Sequence, residues 1–382
     1  RRVYASLHKF ICWRIGLYAT ISHTMSGTQL PAEHHPAHPS WPVFGHEWAV
    51  EYLQGALEAG HGEARRRGPR HAYLFLGPAQ IGKSTLVRAF AQALLCTGDG
   101  TRPCGQCRSC RLMSSGNHPD FRLVQPVTTG GEIDRAGGML RVEQASAVIH
   151  DAALSPVEGR YRVFAIQDAH RANDSFSNKL LKTLEEPPEG VVICLTAADR
   201  GSLLPTIISR CEVLELRPLP VAKAKAALAA GWGITAERAE LLARLCNGRL
   251  GWAVRQLGDE AAETQRLDML QELWRLAAAS RVERLDFASA AAAQRENQQL
   301  FAMLEAWGTW WRDVFLAQNG CLDAISNVDQ RAEIDRQAGA LPEASVRRFL
   351  DTLQRVERYL HHTVNTRLAM DVLLLELPRL PA

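Results

Sequence analysis

The sequence contains no uninterrupted apolar run long enough to cross a bilayer as a helix, because charged and polar side chains break every hydrophobic stretch. That argues against a membrane protein and for a cytoplasmic one. A dominant charge is also missing. With 44 Lys and Arg against 41 Asp and Glu, bulk electrostatics does not announce a nucleic-acid binder, and any DNA contact must come from local patches. Nor is there a disulfide framework. The nine cysteines are an odd number, four are clustered and the rest are scattered singly, which fits metal ligation and reduced thiols. A chain of 382 residues exceeds one typical core, so two or three domains are expected.

The first 24 residues are basic, apolar and free of acids, in the manner of a targeting peptide. Met25, followed by Ser-Gly-Thr-Gln and a His/Pro-rich linker from His34 to Pro42, instead reads as an ordinary start. Residues 1–24 are therefore expected to be upstream sequence.

The chain declares itself at Leu74-Phe75-Leu76-Gly77-Pro78-Ala79-Gln80-Ile81-Gly82-Lys83-Ser84-Thr85. The apolar run from His71 to Leu76 reads as a buried strand, and Lys83-Ser84-Thr85 opens a helix. Between them, Gly77 and Gly82 let backbone N–H groups turn inward, the arrangement of a phosphate-binding P-loop. The amides and the helix N-terminus favour phosphate oxygens, Lys83 adds a point charge, and the Ser84 hydroxyl can ligate Mg²⁺. Upstream, Gly45-His46-Glu47 precedes an amphipathic helix to Ala59, with Ala49, Leu53 and Leu57 on one face. The basic run Arg65-Arg66-Arg67-Gly68-Pro69-Arg70 reads either as a solvated loop or as a DNA or phosphate contact.

After the P-loop helix come Cys96, Cys104, Cys107 and Cys110. Four thiolates with two tight spacings can close a tetrahedral structural Zn²⁺ site, with no open position for catalysis. Packing as small hydrophobes is disfavoured by the polar, turn-forming Gly105, Gln106, Arg108 and Ser109 between them. Further on, Asp120–Gln125 reads as a strand, Thr128–Gly138 as a mobile glycine-rich loop, Arg141–Leu154 as a helix and Tyr161–Ile166 as a strand. A nucleoside triphosphatase would end that last strand in two acids, one holding Mg²⁺ through water and one polarising the attacking water. Here the pair is Gln167-Asp168, so the site reads as damaged for hydrolysis. An amphipathic helix ending in Leu184-Glu185-Glu186-Pro187-Pro188 follows, then strands from Val191 to Thr196 and from Glu212 to Leu216. The alternation predicts an α/β fold, a parallel sheet covered on both faces, with ligands at the carboxyl ends of its strands.

The P-loop, the inserted Cys₄ module, Leu180-Leu181-Lys182-Thr183-Leu184-Glu185-Glu186-Pro187-Pro188 and Ser209-Arg210-Cys211 together resemble the AAA+ subunits of the bacterial DNA polymerase III clamp loader. The altered acid pair resembles the loader's non-hydrolysing kind of subunit. The resemblance implies an AAA+ P-loop domain over residues 43–217 with a zinc module at 96–110, a helical lid over 218–260 hinged at Pro218-Leu219-Pro220, and an all-α collar over 261–382, after an extension at 1–42. It also implies that Arg210 is an arginine finger acting on a neighbour's ATP, although standing alone it would read as a surface arginine at a strand start. Nucleotide would be held by Gly77, Gly82, Lys83, Ser84, Thr85 and Asp168 without efficient hydrolysis. The lid's phosphate-sensing arginine is replaced by Gly251, with Arg249 two positions off.

The implied partners are delta and gamma/tau subunits in a hetero-oligomeric ring and, through that complex, the sliding clamp and primer-template DNA. The competing reading is an ATP-hydrolysing motor subunit of the gamma/tau kind, which the intact Lys83 and Ser84 favour. In the collar, Trp307, Trp310 and Trp311 recur at helical spacing and predict a packing face rather than a base-stacking platform. His361-His362 reads as helix surface.

Overall fold

A computed structural model describes residues 41–58, 68–134, 137–259, 261–293, 297–360 and 365–380. Residues 1–24, the linker up to residue 40, Arg65-Arg66-Arg67 and His361-His362 lie outside these described residues. The backbone divides into two compact units. One holds the described residues up to 239 together with Gly248–Trp252; the other holds Glu240–Asn247 and residues from 253 onward.

The first unit is built on five parallel strands: β1 (Ala72–Leu76), β2 (Phe121–Val124), β3 (Arg162–Ile166), β4 (Val191–Ala197) and β5 (Glu212–Glu215). Their order in the sheet is β2-β3-β4-β1-β5. Every residue of β1, β3 and β4 is buried, as expected for near-continuous apolar strands covered on both faces. Alternation along β1 sorts its side chains between two cores. Tyr73 and Phe75 pack with helices α1 (Glu47–Glu58) and α2 (Lys83–Leu95). Leu74 and Leu76 pack with α4 (Val142–Ala152) and α5 (Asp174–Glu185) on the other face. Between α2 and β2 runs the cysteine segment with the short α3 (Arg108–Ser114), and between β4 and β5 lies the single turn α6 (Pro205–Ile208).

Within the segment Thr128–Gly138, expected as a mobile loop, the described residues 128–134 and 137–138 carry backbone pairings. Val127 bridges both Ile133 and Met139, and backbone bonds run from Val127 N to Met139 O and from Asp134 N to Pro126 O. These pairings satisfy backbone groups locally without forming a strand, so no period-2 pattern marks them. The helix expected from Arg141 starts one residue later, because Arg141 is an extended N-cap.

Three helices follow β5: α7 (Val221–Trp232), α8 (Ala236–Leu245) and α9 (Leu250–Leu257). The second unit then contains α10 (Ala262–Ala278), α11 (Arg281–Ala293), α12 (Asn297–Gln318), α13 (Arg331–Ala340), α14 (Glu343–Leu360) and α15 (Thr366–Leu375). Trp307, Trp310 and Trp311 of α12 are fully buried in its core, so the aromatic stripe is a packing face. Two indoles keep polar partners: Trp307 Nε1 donates to Met269 O (3.1 Å) and Trp310 Nε1 to Gln337 Oε1 (3.0 Å).

Two buried charges order this unit. Arg284 donates to Leu276 O and Ala277 O at the end of α10 and to Leu374 O and Leu377 O at the end of α15. One cation thus satisfies orphan carbonyls at two helix C-termini, where the dipole favours positive charge. Asp313 accepts from Ser326 N, Asn327 N and Asn327 Nδ2, pinning the stretch after α12.

Candidate functional site

The P-loop runs from the end of β1 into α2. Gly77 has φ 142° and its N–H donates to Ala198 O at 3.2 Å. A Cβ there would lie 2.5 Å from Leu216 O, so only glycine lets the loop leave the sheet at this point. Gly82, at φ 113°, is the N-cap of α2, leaving Ser84 half-buried and Thr85 exposed in the first helical turn. Lys83 is buried, and its Nζ donates to Gly77 O (2.6 Å) and Pro78 O (2.8 Å). The ammonium therefore folds back over the loop from its helix start. Donor amides, an ammonium and a hydroxyl at one helix N-terminus are the equipment of a phosphate cradle.

Just beyond the end of β3 stands the amide Gln167. Gln167 is buried and its Oε1 accepts from Gln125 Nε2 at 3.0 Å. Asp168 is buried in a left-handed conformation, φ 53°, and its N–H donates to Thr196 Oγ1 on β4 at 3.0 Å. The motifs did not single out His170, two residues on. Burial lowers its pKa, Asp168 and Asp199 oppose that, and Arg171 and Lys83 reinforce it. His170 therefore shares the electrostatic environment of Lys83 and Asp168. Its offset of two from Asp168 was the only sequence signal available.

The start of α9 reaches this loop. Gly251 N–H donates to Gln80 O at 2.9 Å, and a Cβ on residue 251 would lie 2.5 Å from that oxygen. Gln80 itself has φ 62°. Any larger residue at 251, an arginine included, would have to displace the P-loop backbone. Arg249, two positions before Gly251, is buried.

The four clustered cysteines converge, with their Sγ atoms all within 4.8 Å of one another. Cys96 and Cys107 are 3.9 Å apart, Cys104 and Cys110 4.0 Å. Metal–sulfur bonds of about 2.3 Å at tetrahedral angles place sulfurs roughly 3.8 Å apart, so the set fits a four-thiolate metal ion. Backbone amides already support the sulfurs: Cys104 N bonds Cys96 Sγ, Cys107 N bonds Cys104 Sγ and Cys110 N bonds Cys107 Sγ. Burial alone raises the Cys107 thiol, but N–H donors from Cys110 and Thr97 outweigh it and hold it at about 5. Cys104 is lowered by the amides of Cys107 and Gln106, while burial pushes Cys96 and Cys110 up.

The module is fastened to the sheet by a buried polar chain. Ser109 Oγ lies 2.6 Å from His118 Nε2, and His118 Nδ1 accepts from Asp120 N. That bond leaves the proton on Nε2, so His118 donates to Ser109 and cannot act as its base. The Asp120 carboxylate is committed to Val157 N, Glu158 N and Arg162. The trio Ser109, His118 and Asp120 is therefore a fastening and not a nucleophilic triad.

Arg210 lies two residues beyond α6 and is half-buried. Its Nη2 pairs with Glu185 Oε1 at 2.7 Å, and its Nη1 donates to Thr206 O at 2.8 Å and Ser209 Oγ at 3.4 Å. The sheet thus brings the P-loop, Gln167 and Asp168 to one end of its strands, whereas Arg210 and the cysteines occupy separate places in the same unit.

A family described as DNA polymerase III, delta subunit, matches residues 53–220, and one described as its C-terminal part matches residues 261–378. Among curated relatives, the delta' subunit of DNA polymerase III from Bacillus subtilis is 28% identical over 325 residues, covering 80% of this chain and 90% of the relative. The delta' subunit of Haemophilus influenzae is 36% identical over 146 residues, 38% of this chain and 42% of the relative. The tau/gamma subunit of the same organism is 39% identical over 150 residues, 39% of this chain and 20% of the relative. The chain thus spans less than half the length of these two Haemophilus relatives. Among the described residues no helix is long and apolar enough to cross a membrane.

Proposed function

We propose that this chain, which belongs to the family of the bacterial DNA polymerase III delta-prime subunit, serves its clamp loader without hydrolysing nucleotide itself. It acts in the cytoplasm, in a ring with delta and gamma/tau subunits, and helps place the sliding clamp on primed DNA. The observation that carries this reading is Gln167, an amide bonded to Gln125 where a hydrolysing site needs an anion. Gly251, packed on Gln80, supports it by leaving no room for a lid arginine.

Residues 43–217 are the P-loop domain, 218–260 the lid and 261–382 the collar that joins the ring. Nucleotide, where bound, would be held by the amides of Gly77 and Gly82, by Lys83 and by Ser84 and Thr85, with Asp168 the remaining acid. Bound Mg²⁺-ATP would supply a phosphate anion that orders the loop. Zinc, held by Cys96, Cys104, Cys107 and Cys110, would supply a structural cross-link between α2 and α3. Arg210 acts on a neighbour's nucleotide. Guanidinium is charged at every physiological pH and meets phosphate with a planar fork, and such a residue is worth about 10³–10⁵ in rate where it completes a site.

The second reading, a motor subunit, is favoured by the complete P-loop and by the tau/gamma relative. ATP turnover by the purified chain separates the two. Negligible turnover is expected; turnover at a motor subunit's rate, abolished by Lys83→Ala, would replace the first reading with the second.

A further inference from the structure

We propose that Glu185 is a positioning residue for Arg210, holding its guanidinium in one orientation before a neighbouring subunit's phosphate arrives. The proposal rests on the reading of Arg210 given above and names the residue through which that site is prepared.

Glu185 is the last residue of α5, stopped there by the Pro187-Pro188 pair. An acid at that end is electrostatically unfavourable, because helix C-termini carry partial negative charge and favour cations. Its carboxylate nevertheless stands 2.7 Å from Arg210 Nη2. The partner cation offsets the unfavourable end, and the helix terminus fixes where the carboxylate sits.

The second anchor comes from a different element. Thr206 O, in α6, accepts from Arg210 Nη1 at 2.8 Å, with Ser209 Oγ at 3.4 Å on the same nitrogen. An arginine side chain carries considerable rotamer entropy when free. Fixing it from two elements removes most of that freedom in advance, which is how preorganisation raises the effect of a charged group on a reacting centre. Of the five N–H donors of a guanidinium, three are used by Glu185, Thr206 and Ser209. The remaining pair is what a bidentate phosphate contact requires.

The strength of the anchor suits this role. Both partners are partly exposed, with 34% of the Arg210 side chain and 48% of the Glu185 side chain accessible. An ion pair this exposed is weak, enough to bias the guanidinium without withholding it from a phosphate.

The test is steady-state ATP hydrolysis by the reconstituted loader with primed DNA and clamp. It compares wild-type chain with Glu185→Ala, Glu185→Gln, Arg210→Ala and the Glu185→Ala/Arg210→Ala double variant. Glu185→Ala is expected to lower kcat about two- to fivefold, the fold-change that corresponds to an exposed pair, with KM for ATP unchanged. Glu185→Gln should recover part of the loss, since its amide oxygen still accepts. In the Arg210→Ala background, Glu185→Ala should cost nothing further. If Arg210→Ala slows the complex while Glu185→Ala runs at the wild-type rate or faster, or still costs activity in the double variant, the role of Glu185 is overturned and that of Arg210 stands. If Arg210→Ala itself has no effect, both fall.

Discussion

At position 167 an amide stands where a hydrolysing site would use an acid, and Gln125, just past the end of the neighbouring strand β2, gives that amide a partner. A buried polar group needs such a partner, and once it has one the position is stable without metal. Gly251, in α9, is the counterpart on the other side of the P-loop: its missing Cβ is what allows the N–H to reach Gln80 O. A different residue contributes to the response of the helical unit to pH. Glu357, on α14, is buried, and burial followed by repulsion from Glu305 raises its pKa from the ordinary carboxylate value to about 7. Since its folded pKa lies above its unfolded one, the folded chain binds the extra proton between about pH 4.5 and 7, and stability falls as pH rises through that window. Glu357→Gln should therefore raise the unfolding free energy at pH 8 by an amount on the order of 2–3 kcal/mol, seen as a higher urea midpoint. The two proteins should converge below about pH 4.5. Urea titrations at both pH values check this, and an equal difference at both would refute it.

At the scale of elements, the cysteine module is the part whose sequence and geometry agree most closely. Four sulfurs supported by backbone amides lie within 4.8 Å, and α3 is fastened to β2 and β3 through Ser109, His118 and Asp120. Metal affinity of such a set is also folding energy for the segment it closes. The purified, reduced chain is expected to carry about one zinc per molecule. Cys107→Ser should lose it and loosen residues 96–114, leaving the P-loop intact. Metal analysis decides this, and full zinc occupancy in Cys107→Ser would contradict it.

The strands were legible because β1, β3 and β4 are continuous apolar runs bounded by turns. The P-loop was legible because its glycines are required by backbone geometry. What stayed hidden depends on partners distant in sequence: Gln125 under Gln167, Gly251 against Gln80, and Glu185 beside Arg210. The bridges around Val127 were hidden for another reason, since isolated backbone pairings impose no side-chain pattern.

At the scale of the whole molecule, the chain carries a P-loop whose neighbouring strand ends in an amide, and in a separate place an arginine paired with Glu185. Under the proposed function such a chain works in an assembly, its arginine completing a site that a neighbour's nucleotide occupies. The most direct measurement is DNA-stimulated ATP hydrolysis and clamp loading by the reconstituted loader carrying Arg210→Ala in this chain alone, after confirming that zinc content and assembly match wild type. The account predicts slower hydrolysis and slower loading by the assembled complex, with Arg210→Lys rescuing poorly because it keeps the charge and loses the fork. An assembled Arg210→Ala complex that hydrolyses ATP and loads clamps at the wild-type rate would contradict it.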